Sequence, residues 1–170
     1  DDRANRAWIA DVSAKLTSIA PRVLPQLSAF YQLPWYDAGN AVRVDIVHVG
    51  GARGGYTWRT PRVHTVIDSA DSTYHGWLGV EMLLHEASHG LTDRLEESID
   101  AEAKAAGKKV DGMLWHVIQF YVVGEVMKRT LTADGVAFSA YIYATGLFDR
   151  AWKRFRPAVE SEFSSYLDDK

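Results

Sequence analysis

The stretch His85-Glu86-Ala87-Ser88-His89 constrains this chain more than any other five residues. It lies within an apolar run from Trp77 to Leu91 whose composition predicts a helix. On a helix, residues four apart sit one above the other, so both imidazoles face one way and can grip one metal ion. Glu86, beside the first of them, then reaches a water on that ion and serves as general base. Ala87 and Ser88 are small and uncharged, as a helix buried beside a metal requires. Met82, Leu83, Leu84 and Leu91 supply apolar flanks for packing on the other sides. With six His in the chain, a chance match to the pattern is roughly one in a hundred. Two surface histidines on a solvated helix would have more charge around them than this run carries.

Catalytic zinc takes three protein ligands and leaves one position open for water. The chain has no Cys, so a disulfide frame and a thiolate site are both excluded. The third ligand must therefore be His, Glu or Asp. Its expected source is a long apolar helix over Met113 to Leu131, which offers His116 and Glu125. Nine residues apart, these two lie on opposite faces and about 13 Å apart along the axis, so they cannot share one ion. His116 is preferred, sharing its face with Gln119, Phe120 and Val123. Glu125 stands as the alternative third ligand, or as a partner to a ligating His, because a buried carboxylate is costly unless paired or coordinating. Tyr143, chosen over Tyr141, is the hydroxyl that would stabilise an oxyanion, although core packing is the commoner role for both. His75 falls in a polar loop, and His48 and His64 fall on strands; structural or surface roles are expected for all three.

The rest of the chain reads as an α+β domain, a single unit over residues 1–170 with a small sheet packed against the motif helix and further helices. Trp8, Val12, Leu16 and Ile19 predict an amphipathic helix over Arg3 to Ile19 that Pro21 stops, followed by a short helix from Val23 to Tyr31. Ala41 to Val49 alternates as a half-buried strand, and the glycine-rich Gly50 to Gly55 predicts a hairpin connection onto Tyr56 to Arg59. Arg62 to Asp68 is the last strand before the motif helix. A solvated helix runs from Leu95 to near Gly107, Asp111 is the expected N-cap of the long helix, and Ser139 to Tyr166 is helical with breaks near Gly146 and Pro157.

Net charge is −3 with no basic run, which argues against nucleic acid as the main partner. No apolar stretch approaches the ~20 residues of a membrane span. The chain opens Asp1-Asp2-Arg3 instead of with Met, as an exported protein freed of its leader would; otherwise a cytoplasmic location is expected.

Leu84-His85-Glu86-Ala87-Ser88-His89-Gly90-Leu91 resembles the active-site helix of the zincin superfamily of zinc metallopeptidases. The metzincin extension is not met, since Thr92 and Leu95 occupy its later positions. The inverzincin and aspzincin motifs are absent. A gluzincin-like pattern, with Glu from a second helix, and a SprT-like one, with a third His, both remain open, and neither full pattern is present. The resemblance implies Zn²⁺ as cofactor, a peptide or protein substrate, and Arg62 to Asp68 as the sheet edge that pairs with an extended peptide. Two other outcomes stay in view: a non-catalytic metal-binding or interaction domain on the same scaffold, and a hydrolase of non-peptide amides.

Overall fold

A computed structural model describes residues 2–49 and 54–168. Six α-helices and three strands are assigned among them: α1 Asp2–Tyr31, β1 Arg43–Val47, β2 Gly55–Trp58, β3 His64–Asp68, α2 Gly76–Ser88, α3 Asp93–Ala105, α4 Leu114–Ala133, α5 Tyr141–Ala144 and α6 Arg156–Asp168. Short tight turns precede and follow α2, at Ser72–Tyr74 and His89–Leu91, and a π-helical turn spans Phe148–Trp152. The α+β class read from the sequence is the class observed.

The centre of the fold is α4. Its residues from Val117 to Met127 are buried without interruption, as expected of a helix that is apolar on every side. It touches α1, α2, α3, α5 and α6. Gly124 lets α2 come close: a Cβ there would stand 2.6 Å from Ala140 Cβ and 2.8 Å from Glu81 Oε1. Asp111 does not cap α4. Its carboxylate accepts from Met113 N at 2.9 Å one turn earlier, and Met113 occupies the capping position.

The N-terminal segment departs from expectation. Pro21 does not stop it; α1 is one helix with Pro21 and Pro25 inside. Trp8, Val12, Ile19, Val23, Leu27 and Phe30 form one buried stripe along its length. Burying that stripe against α2 and α4 outweighs the ~3 kcal/mol that a proline in a helix interior costs.

The sheet order is β1-β3-β2, with β1 parallel and β2 antiparallel to β3. Two expectations are corrected here. β1 and β2 are not a hairpin pair, because β3 lies between them; the turn residues 50–53 lie outside the described residues. β3 is the central strand and not the edge: its last four residues are buried, as a strand paired on both sides and covered by α2 requires. The edge beside α2 is β2.

Among the described residues, no helix is long and apolar enough to cross a membrane.

Candidate metal centre

His85 and His89 leave one side of α2, and the last turn after Ser88 tightens to 3-10 geometry without breaking their four-residue spacing. His116 arrives from the first turn of α4. The ligand atoms of the three imidazoles lie within 4.8 Å of one another. Ring centroids form a nearly equilateral triangle with sides of 5.0, 5.1 and 5.2 Å. His85 Nε2 and His116 Nε2 face each other at 3.2 Å. The cluster expected from the sequence thus includes His116.

Burial holds the three imidazoles in their neutral form. Burial, then the neighbouring imidazoles, push His85 well below its ordinary value of 6.5. His116 falls to about 4 through burial and His89, and His89 falls to about 4 through burial and the charge of Arg59. All three rings are therefore neutral at pH 7, the form that ligates metal. Glu86 Oε2 is 3.8 Å from His89 Nε2, but with a neutral ring this contact is no ion pair. Burial raises Glu86 to about 7, against the opposing hydrogen bond from Thr57. A carboxyl group with its pKa near neutrality thus lies beside three neutral imidazoles that could hold a metal ion. Among the described residues, the three imidazoles are the group able to hold an ion.

Aromatic rings enclose the triangle. Phe120 stacks on His85 at 3.7 Å between centroids, and Trp115 stacks on His116 at 4.9 Å. Trp152, delivered by the π-helical turn, packs against both His116 and Phe120. Such a shell lowers the local dielectric and strengthens every charge interaction within it. Gln119 ties the two helices together: its Nε2 donates to His85 O and to Ser88 Oγ, each at 2.8 Å. His85 Nδ1, buried, has no hydrogen-bond partner. Gln119 and Phe120 lie on the His116 face as the helical period predicts, whereas Thr57, Trp152 and Thr65, which bonds Thr57 at 2.9 Å, were not expected at the site. No local signal marks those three, because each reaches the site from a separate element.

The other expectations divide. Glu125 is not at the centre; Arg129 Nε and Lys128 Nζ donate to its carboxylate at 3.0 and 3.2 Å, one turn away on α4 itself. Opposite faces of one helix cannot serve one ion, and Glu125 satisfies its burial by pairing. Tyr143 is also elsewhere: its hydroxyl donates to Glu160 Oε1 at 2.7 Å, and its ring packs on Phe148. Tyr141 is the nearer of the two, stacked on Phe120 and edge-on to Tyr74. His48 meets Ser69 Oγ, His64 meets Asp45, and His75 meets the Ser69 carbonyl. None of these three joins the cluster. A groove of about 630 Å³ between α3, α4 and α6, lined by Leu95, Ile99, Leu114, Ile118, Val159 and Phe163, contains none of the three imidazoles.

No family model, curated protein or solved structure matches the chain.

Proposed function

We propose that this chain is a zinc-dependent hydrolase of peptide bonds, built on the zincin plan. The observation that carries the reading is the convergence of His116 from α4 on the His85 and His89 pair, with the carboxylate of Glu86 beside it. Three neutral imidazoles would hold the ion and leave one position open. Bound there, zinc would acidify a water and polarise a substrate carbonyl.

The chain's own residues supply the rest. Glu86 removes the water's proton and returns it to the departing nitrogen, so the side chain ends as it began. The aromatic shell of Trp115, Phe120 and Trp152 limits competing solvent. β2 has one side paired to β3, and its other side has no strand partner among the described residues. Such an edge can hydrogen-bond an extended peptide, with alternate side chains meeting the exposed Tyr56 and Trp58. This open edge favours a peptide over a small amide.

The test is cleavage of an unstructured polypeptide by the zinc-loaded protein, read by mass spectrometry. Glu86→Gln is expected to retain one zinc per chain and to lose roughly 10²–10⁴ of the rate. Full activity in that variant would remove Glu86 from the mechanism, and a zinc-loaded wild type that cleaves nothing would remove the peptidase reading.

A further inference from the structure

Glu86 is gripped from outside its own helix. Thr57 on β2 and Thr65 on β3 are directly opposite each other, with their hydroxyl oxygens 2.9 Å apart. Thr57 Oγ1 is also 2.8 Å from Glu86 Oε2 and 2.9 Å from the Glu86 carbonyl. A hydroxyl has a single proton, so Thr57 cannot donate to all three. The Glu86 carbonyl already accepts from the backbone N–H of His89. Thr65 is fully buried at 0% exposure, and a donor there needs an acceptor. One ordering satisfies every group: Thr65 donates to Thr57, and Thr57 donates to the carboxylate, the stronger of its two remaining acceptors.

The strand also makes room. A Cβ on Gly55 would stand 3.2 Å from both Cγ and Oε1 of Glu86, so the bare glycine lets the carboxylate lie against β2. The carboxylate thus has a hydroxyl holding one oxygen and a flat backbone beneath the other. Oε2 remains 3.8 Å from His89 Nε2, at the border of the imidazole triangle.

From these contacts we infer that Thr57, oriented by Thr65, is the positioning residue for the base. The inference rests on the reading of Glu86 as that base. Thr57 keeps its own proton throughout. It holds the carboxylate in one rotamer, and the lone pairs it leaves free on Glu86 take the proton from water and give it up to the leaving nitrogen. A freely rotating carboxylate would spend much of its time out of reach, and misplacement of a reacting group by about 1 Å can cost on the order of 10²-fold.

Two substitutions separate the hydroxyl from the shape. Thr57→Val keeps the shape and removes the donor; kcat is expected to fall roughly 10–100-fold, the worth of a hydrogen bond to a charged group, with KM within about twofold. Thr57→Ser restores the hydroxyl and is expected to recover most of the rate. A readout independent of turnover is the affinity of the zinc-loaded protein for acetohydroxamic acid, a chelator whose N–O–H group donates to a neighbouring carboxylate. Thr57→Val is expected to weaken it about tenfold while leaving zinc affinity unchanged. Unchanged kcat and unchanged hydroxamate affinity in Thr57→Val overturn the inference, and so does a Ser variant as impaired as the Val variant. If Thr57→Val does not fold, Thr65→Val takes its place: Thr57 is then left without the hydroxyl that orients it, and both readouts are expected to fall several-fold. No fall in either overturns the inference equally. A wild type without peptidase activity counts against the proposed reaction, while the hydroxamate comparison still decides whether Thr57 holds Glu86.

Discussion

Replacing Glu81 with Gln is expected to remove a pH-dependent weakness from the fold. Glu81 sits on α2 one turn before His85, at 1% exposure. Its Oε2 accepts from Tyr141 N at 2.8 Å, capping α5, and its Oε1 has no partner. Burial raises this carboxyl from its ordinary 4.5 to about 8, with the Tyr141 amide acting against the rise. The folded protein therefore keeps a proton on Glu81 at pH 6 or 7 that the unfolded chain has released. Folding is favoured by this group below pH 4.5, and the advantage is lost as pH rises from 4.5 through about 8. At ~1.4 kcal/mol per pH unit, the full loss is on the order of 3–5 kcal/mol, or roughly 10 °C in Tm for a chain this size. Gln has the shape of the protonated acid and no charge to acquire. The assay is thermal unfolding of both proteins by circular dichroism from pH 5 to pH 9 in chelator. Chelator keeps metal binding by the histidines from adding its own pH dependence. Similar Tm values at pH 5 are expected, diverging in favour of Glu81→Gln toward pH 9. Glu86, raised to about 7, also titrates over this range, but it is common to both proteins and cancels in the difference. Parallel curves across the whole range would refute the description of Glu81 as a buried neutral acid.

Further expectations concern the metal triangle and the helix crossing beneath it. His116→Ala should lower zinc affinity by more than about 100-fold and abolish the rise in Tm that zinc is expected to give the wild type, as read by chelator competition and calorimetry. Glu125→Gln should bind zinc as the wild type does, because Glu125 is engaged with Lys128 and Arg129; a comparable loss of zinc would reverse the ligand assignment. Gly124→Ala inserts a Cβ 2.6 Å from Ala140 and should cost about 1–3 kcal/mol, visible as a lower denaturant midpoint; no change would mean that α2 and α4 can separate without penalty.

Much of the site was legible because its parts repeat at the helical period. His85 and His89 share a face through spacing alone, and the uninterrupted apolar character of α4 announces a buried helix that carries His116. Local reading failed where distant contacts chose between local options. Tyr143 and Tyr141 are two residues apart on similar background, and contacts with Phe148 and with Glu160 on α6 hold the first away from the centre. Pro21 reads as a stop, yet the buried stripe on both sides of it carries the helix through. Arg62 to Asp68 was expected at the sheet edge, but the pairing of β1 and β2 on either side makes it central.

What the sequence by itself determined is the chemistry on offer: two imidazoles four residues apart with a carboxylate between them, no thiolate to compete, and His116 and Glu125 as the expected candidates for a third ligand. The spacing of residues along a single helix is a local property, so no tertiary information is needed to read it. The tertiary structure decided which imidazole completes the triangle and what holds Glu86. His116 was chosen by the crossing of α2 and α4, which depends on the bare Cα of Gly124 and the Gln119 clamp. Thr57 was brought to Glu86 by strand register. Both depend on packing between segments far apart in the chain, and no local window of sequence encodes that distance.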